Sequence, residues 1–126
     1  MMRNLAQNYR TVDLNSANKT DILDRLYTRL LSDLEGANAA ILSNDVGQRA
    51  DLLDHAGRIV TEFVAALDHN TAPELCGKLA SLYGYITDCI NTANTQCDRN
   101  AIENASTIVT HLRESFRLAS TNVSGP

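Results

Sequence analysis

The chain has 126 residues, 44% of them apolar, with 11 basic and 15 acidic side chains and a net charge of −4. That is one domain of ordinary size with enough apolar material for a core, which excludes a disordered protein. Two prolines, six glycines and no tryptophan argue against the many tight turns of a sandwich or barrel, whereas a core of Leu, Ile, Val and Ala suits packed helices.

The first stretch, residues 1–17, is too polar for a core element and reads as a loose N-terminal arm. Leu5, Tyr9 and Val12 step 4-3 along it, so one helical turn would set all three on one side. Asn18, with Asp21 three residues on, reads as the cap of a first helix. In that helix Leu23, Tyr27, Leu30, Leu34, Ala37 and Ile41 step 4-3-4-3-4. Leu42-Ser43-Asn44-Asp45 is a short polar joint.

The second segment steps the same way through Val46, Ala50, Leu53, Gly57, Val60, Val64 and Leu67. Beside that stripe runs another: Leu52, Ala56, Ile59, Phe63 and Ala66. Thr71-Ala72-Pro73-Glu74 has the form of a capping box with proline in the first turn. It opens a third segment, Leu75, Leu79, Leu82, Ile86, Cys89 and Ala93, with a weaker second stripe of Cys76, Ala80, Tyr83, Thr87 and Ile90. After the joint at Gln96-Cys97-Asp98, the fourth segment runs Ile102, Ala105, Val109, Leu112, Phe116 and Ala119.

A mean period of 3.5 is the seam of helices packed nearly in line, and short joints make neighbours antiparallel. The expected fold is all-α: an antiparallel up-down-up-down four-helix bundle over residues 18–119, with a loose N-terminal arm (1–17) and a disordered tail (120–126). A bundle helix needs an apolar arc of about 100°. The doubled stripes exceed that, and they read either as a thick core or as an exposed apolar groove for a partner.

Little points to chemistry. His55, His69 and His111 form no His-x3-His or Glu-x-x-His pair, so no metal site is expected. No glycine-rich phosphate loop exists, so no cofactor is expected, and the chain reads as a non-enzyme. The three cysteines read as small, reduced residues. No basic patch suggests nucleic acid. No apolar run reaches membrane-spanning length and no secretory signal is visible, so a cytoplasmic protein without membrane insertion is expected. His55 is expected on the surface, beside Asp51 one turn earlier. That leaves a histidine phosphotransfer bundle as an alternative, against which stand Asp54 directly before it and Ile59 where a glycine is usual. A purely structural helical adaptor is the other alternative.

The spacing of all four tyrosines carries a resemblance. Tyr9 on the arm precedes Leu26-Tyr27 by eighteen residues, with Ala17, Asp21 and Ile22 between. Leu67-Asp68, then Leu79-Ala80-Ser81-Leu82-Tyr83-Gly84-Tyr85-Ile86, Ala93-Asn94, Asp98 and Leu112-Arg113-Glu114-Ser115-Phe116 continue in register. Over residues 5–117 the chain resembles the FliS family of flagellin-specific export chaperones. It departs where Asn18-Lys19 replaces the family's usual Ser-Pro, and where Thr28 and Gly84 replace acidic residues. The resemblance implies a cytosolic chaperone. Such a chaperone binds the disordered C-terminal segment of flagellin, blocks premature polymerisation and delivers the subunit to the flagellar export gate. The expected partner-binding residues are Leu5, Tyr9, Val12, Leu26, Tyr27, Ile59, Phe63, Tyr83, Tyr85 and Ile90.

Overall fold

The computed structural model describes the backbone of residues 16–124 and the side chains of residues 20–119. Four helices make up the described chain: α1 (Ser16–Leu42), α2 (Val46–Ala65), α3 (Pro73–Gln96) and α4 (Arg99–Ser124). Each packs on the two beside it, α1 on α2 and α4, α3 on α2 and α4. This is the four-helix bundle expected from the 3.5-residue period.

The joints explain why the helices stop. Asn44 ends α1 in the left-handed region at φ 57°, a conformation that asparagine tolerates better than most residues. The Asp45 N–H then donates back to the Ala40 carbonyl at 2.8 Å, which satisfies a helix-end carbonyl in Schellman fashion. Asp45 in turn caps α2 by accepting from the Gln48 N–H at 3.1 Å. Cys97 ends α3 in the same left-handed way at φ 51°. Asp98 then accepts from the Asn100 and Ala101 N–H groups at the start of α4.

Three expectations about the ends are corrected. Helix α1 begins at Ser16, so Asn18 lies inside it and not at its cap. The capping box before α3 does not form: Ala72 is the N-cap and has no side-chain cap bond. Helix α3 starts at Pro73, one residue too late for Thr71 to be its N-cap, and the Thr71 hydroxyl donates to Asp68 instead, at 2.6 Å. Helix α4 continues to Ser124, so residues 120–124 of the expected disordered tail are helical. The rest of the arm and tail, with Leu5, Tyr9 and Val12, lies outside the described residues.

Leu30, Leu34, Leu53, Val60, Ile86 and Val109 are fully buried, each large aliphatic side chain contributing about 1.5–3 kcal/mol relative to exposure. Small residues let the helices approach. Ala37, Ala56, Ala93 and Ala105 are fully buried between them. At Gly36 a Cβ would come within 2.8 Å of the Leu52 Cδ1 methyl.

The core line of α2 runs Leu53, Ala56, Val60, Phe63, a 3-4-3 step drawn from both sequence stripes. That of α3 likewise includes Cys76, Tyr83, Ile86, Ile90 and Ala93. Five side chains expected in the seam are exposed instead: Val46 (61%), Val64 (43%), Leu75 (57%), Leu82 (37%) and Ala119. The doubled stripes are therefore not a spare groove. The buried seam takes residues from both stripes, as an a/d packing requires, and leaves the remaining stripe residues outside it.

Candidate functional site

At the end of the bundle where α1 and α3 begin and α2 and α4 finish, the helices leave an apolar cup of about 240 Å³. All four helices line it. Leu23 and Tyr27 come from α1, Phe63 from α2, with Ala66 and Leu67 just beyond it. Leu79 and Tyr83 come from α3 and Phe116 from α4. The positions follow from the inward side of each helix: Tyr27, Phe63 and Tyr83 are buried and Phe116 is half-buried.

The aromatic rings hold one another in place. Phe63 stacks on Tyr27 with centroids 4.4 Å apart and on Tyr83 at 5.5 Å. Phe116 tilts against Tyr27 at 6.2 Å. Such pairs add about 0.5–1.5 kcal/mol beyond their burial. The Tyr27 and Tyr83 hydroxyls meet at 2.9 Å, joining α1 to α3 across the bundle. Burial pushes the Tyr27 hydroxyl above the usual tyrosine value, against the opposing effect of its bond to Tyr83. The cup wall between α1 and α4 is clamped by Arg117, whose guanidinium donates to both oxygens of Asp24, at 2.5 and 3.2 Å. That bond holds the Asp24 carboxyl below the usual range, further aided by the charges of Arg117 and Arg113.

The expected partner-binding residues are placed as follows. Tyr27, Phe63 and Tyr83 come together in the cup. Leu26 is half-buried on α1. Ile59 and Ile90 are 5% exposed and belong to the core. Tyr85 is 46% exposed; its hydroxyl, pushed up by the adjacent Cys89 thiol, also faces Asn104. Leu23, Leu67, Leu79 and Phe116 line the cup but were legible in the sequence only as seam residues. Ala66 was visible only as the last step of the second stripe.

The His55 side chain is 42% exposed, as expected, but its partner is Asp33 and not Asp51. Its Nδ1 lies 2.5 Å from Oδ2 of Asp33, which is 2% exposed. The inward turn of α1 at Asp33 meets α2 there, so the ring faces the neighbouring helix. Cys76 and Cys89 are buried and Cys97 is exposed, all as free thiols. No cluster of metal-ligating side chains occurs among the described residues. No described helix is long and apolar enough to cross a membrane.

The family model described as flagellar protein FliS matches residues 1–123. No curated protein matches the chain.

Proposed function

Because the chain belongs to the FliS family of flagellar proteins, a family of chaperones and not of enzymes, we propose that its client is flagellin. The chaperone binds the disordered C-terminal segment of newly made flagellin in the cytoplasm. It thereby prevents premature polymerisation and keeps the subunit competent for type III secretion through the flagellar export gate. The observation that carries this reading is the apolar cup, lined by aromatic and aliphatic side chains from all four helices. A disordered segment costs about 2–5 kcal/mol or more to order on binding. Apolar burial at roughly 25 cal/mol per Å² offsets that cost, and an apolar cup with stacked rings supplies the surface for it.

The N-terminal arm belongs to the same proposal. Helix α1 starts at Ser16 and its cup residues are Leu23 and Tyr27. Seven residues of helix span about 10 Å. The arm, as read from the sequence, places Leu5, Tyr9 and Val12 before a helix that starts at the cup end. In the free chaperone it shields the apolar surface and yields to flagellin, so its docking free energy subtracts from the observed affinity.

Calorimetry with a synthetic C-terminal segment of the cognate flagellin tests the reading. One-to-one binding with a large negative heat-capacity change is expected. Phe63→Leu and Leu79→Ala should weaken it, and charge-swapping changes remote from the cup should not. Deleting residues 1–14 should leave the bundle folded, raise binding of an apolar dye and preserve flagellin binding. No binding to the segment would leave the structural-adaptor reading in its place.

A further inference from the structure

The outer face that α3 and α4 share carries apolar side chains that the buried seam leaves out. On α3, Leu75, Lys78, Leu82, Tyr85 and Cys89 step 3-4-3-4, so they follow one side of the helix. Leu75, Leu82 and Tyr85 are 57%, 37% and 46% exposed. On α4, Asn104, Ile108, His111, Ser115 and Leu118 step 4-3-4-3, and Leu118 is 67% exposed. The Tyr85 hydroxyl faces Asn104, which sets the two stripes side by side. Lys78 is the one Asp, Glu, Lys or Arg in either stripe. Other grooves are more charged: Glu35, Arg99, Glu103 and Arg113 line the one between α1 and α4, and Asp54, Arg58 and Glu62 the one between α2 and α3.

The size of the face suits a stable partner. Helix α3 has 24 residues, which is about 36 Å. Two helices side by side, each about 10 Å across, make a face about 20 Å wide. That is roughly 700 Å² per molecule and about 1,400 Å² for two such faces together, the size of a standard specific interface. Tyr85 lies in the middle of α3, between Pro73 and Gln96, and central aromatic side chains carry much of the energy of an interface.

Charge selects the occupant. Lys78 and Asp88 are exposed, and neither belongs to an ion pair among the described residues. A two-fold axis crossing α3 between Leu82 and Tyr85 would run two copies of α3 antiparallel. Residue 78 of each copy then lies opposite residues 88–89 of the other, so Lys78 meets Asp88 twice at the edge of the stripe. A two-fold interface has to complement itself, and this arrangement does. We propose that the chain pairs with a second copy of itself through the α3/α4 face, with the two α3 helices antiparallel and Tyr85 at the centre. None of the stripe residues lines the cup, and the pairing does not depend on the cup's client.

Sedimentation velocity of the full-length chain tests the proposal. The buffer is kept reducing, because the exposed Cys97 thiol otherwise cross-links copies. The mass should rise with concentration from 13.8 kDa to twice that value. Tyr85→Glu and Leu75→Gln should each keep the helical circular dichroism and weaken association, the former roughly tenfold or more. Leu42→Gln, at a side chain 60% exposed near the opposite end of the bundle, should leave association unchanged. Lys78→Asp and Asp88→Lys should each weaken it about tenfold, since each turns two rim attractions into repulsions, and the double swap should restore it. A mass of 13.8 kDa at every concentration overturns the proposal, as does association indifferent to Tyr85 and Leu75 or a double swap that restores nothing. A chain that stays monomeric and loses the flagellin segment on Tyr85→Glu would give the face to the client and equally overturn it.

Discussion

The two tyrosine hydroxyls that meet at 2.9 Å show how one contact can be worth more broken than made. Both are buried, so removing one leaves the other without that partner at a cost of about 1–3 kcal/mol. Tyr83→Phe is expected to destabilise the bundle by about that amount. A double-mutant cycle with Tyr27→Phe should return a coupling of about 1 kcal/mol in chemical denaturation. The pH dependence has a definite sign. Burial raises the Tyr27 hydroxyl in the folded state above its ordinary value of 10.0. The stability it contributes is therefore fully present below pH 10 and lost as pH rises through the folded value. Tyr27→Phe should flatten the alkaline limb of the stability curve, and an unchanged limb would assign the loss to another group. His55 is a second such residue. With Asp33 buried beside it, His55→Ala leaves a buried carboxylate facing only the largely exposed Arg29 at 3.5 Å. The expected loss is about 2 kcal/mol or more, against a change within about 0.5 kcal/mol for Asp51→Ala on the surface.

Among the helices, α2 and α3 carry glycines that packing does not require. A Cβ added at Gly57 or Gly84 meets nothing within 4 Å. Alanine is better than glycine in a helix interior by about 0.8–1.0 kcal/mol. Gly57→Ala and Gly84→Ala are each expected to raise Tm by a few degrees in a thermal melt, and a fall would mean that a neighbour closes on the site in solution. The glycines also explain where reading the sequence succeeded and where it failed. Existence, order and joints of the four helices were legible, because a 3.5-residue period and polar joints such as Ser43-Asn44-Asp45 are local signals. The phase of the seam was not. From Leu53 the next inward residue lies three or four positions on, and stepping to Gly57 in place of Ala56 sends the line to Val64, which is exposed, in place of Phe63, which is buried. The same choice in α3 exchanges Leu82 for Tyr83. Only the neighbouring helix decides between them. For the same reason the Asp33–His55 and Asp24–Arg117 pairs left no trace in the sequence. Their partners are 22 and 93 residues apart, and pairing them needs the register between helices.

Over the whole bundle the two ends are built differently, and the difference bears on function. At one end the chain turns tightly: Asp45 and Asp98 cap their helices. Arg49 reaches Asn94 across α2 and α3, and Arg99 reaches Asn38 across α4 and α1. At the other end α3 starts without a side-chain cap, and the cup opens between the helices. The uncapped start of α3 and the open cup between the helices favour a lower free energy of local opening there. A chaperone that admits a disordered segment uses such an end. The Asp24–Arg117 clamp is what spans it between α1 and α4. The Asp24 carboxyl is held below its ordinary 3.8, chiefly by its bond from Arg117. Its contribution to stability is therefore present above that value and lost as pH falls through the folded one. Amide exchange, expressed as protection factors, should show the 42–49 and 94–101 joints opening only with global unfolding and the cup-end turns opening locally. Acidification toward pH 3 should widen that gap, and Arg117→Ala should reproduce the widening at pH 7. Uniform protection along the helices, or an acid response centred on the capped end, would show that the cup is as rigid as the rest and that a client must bind it without helix opening.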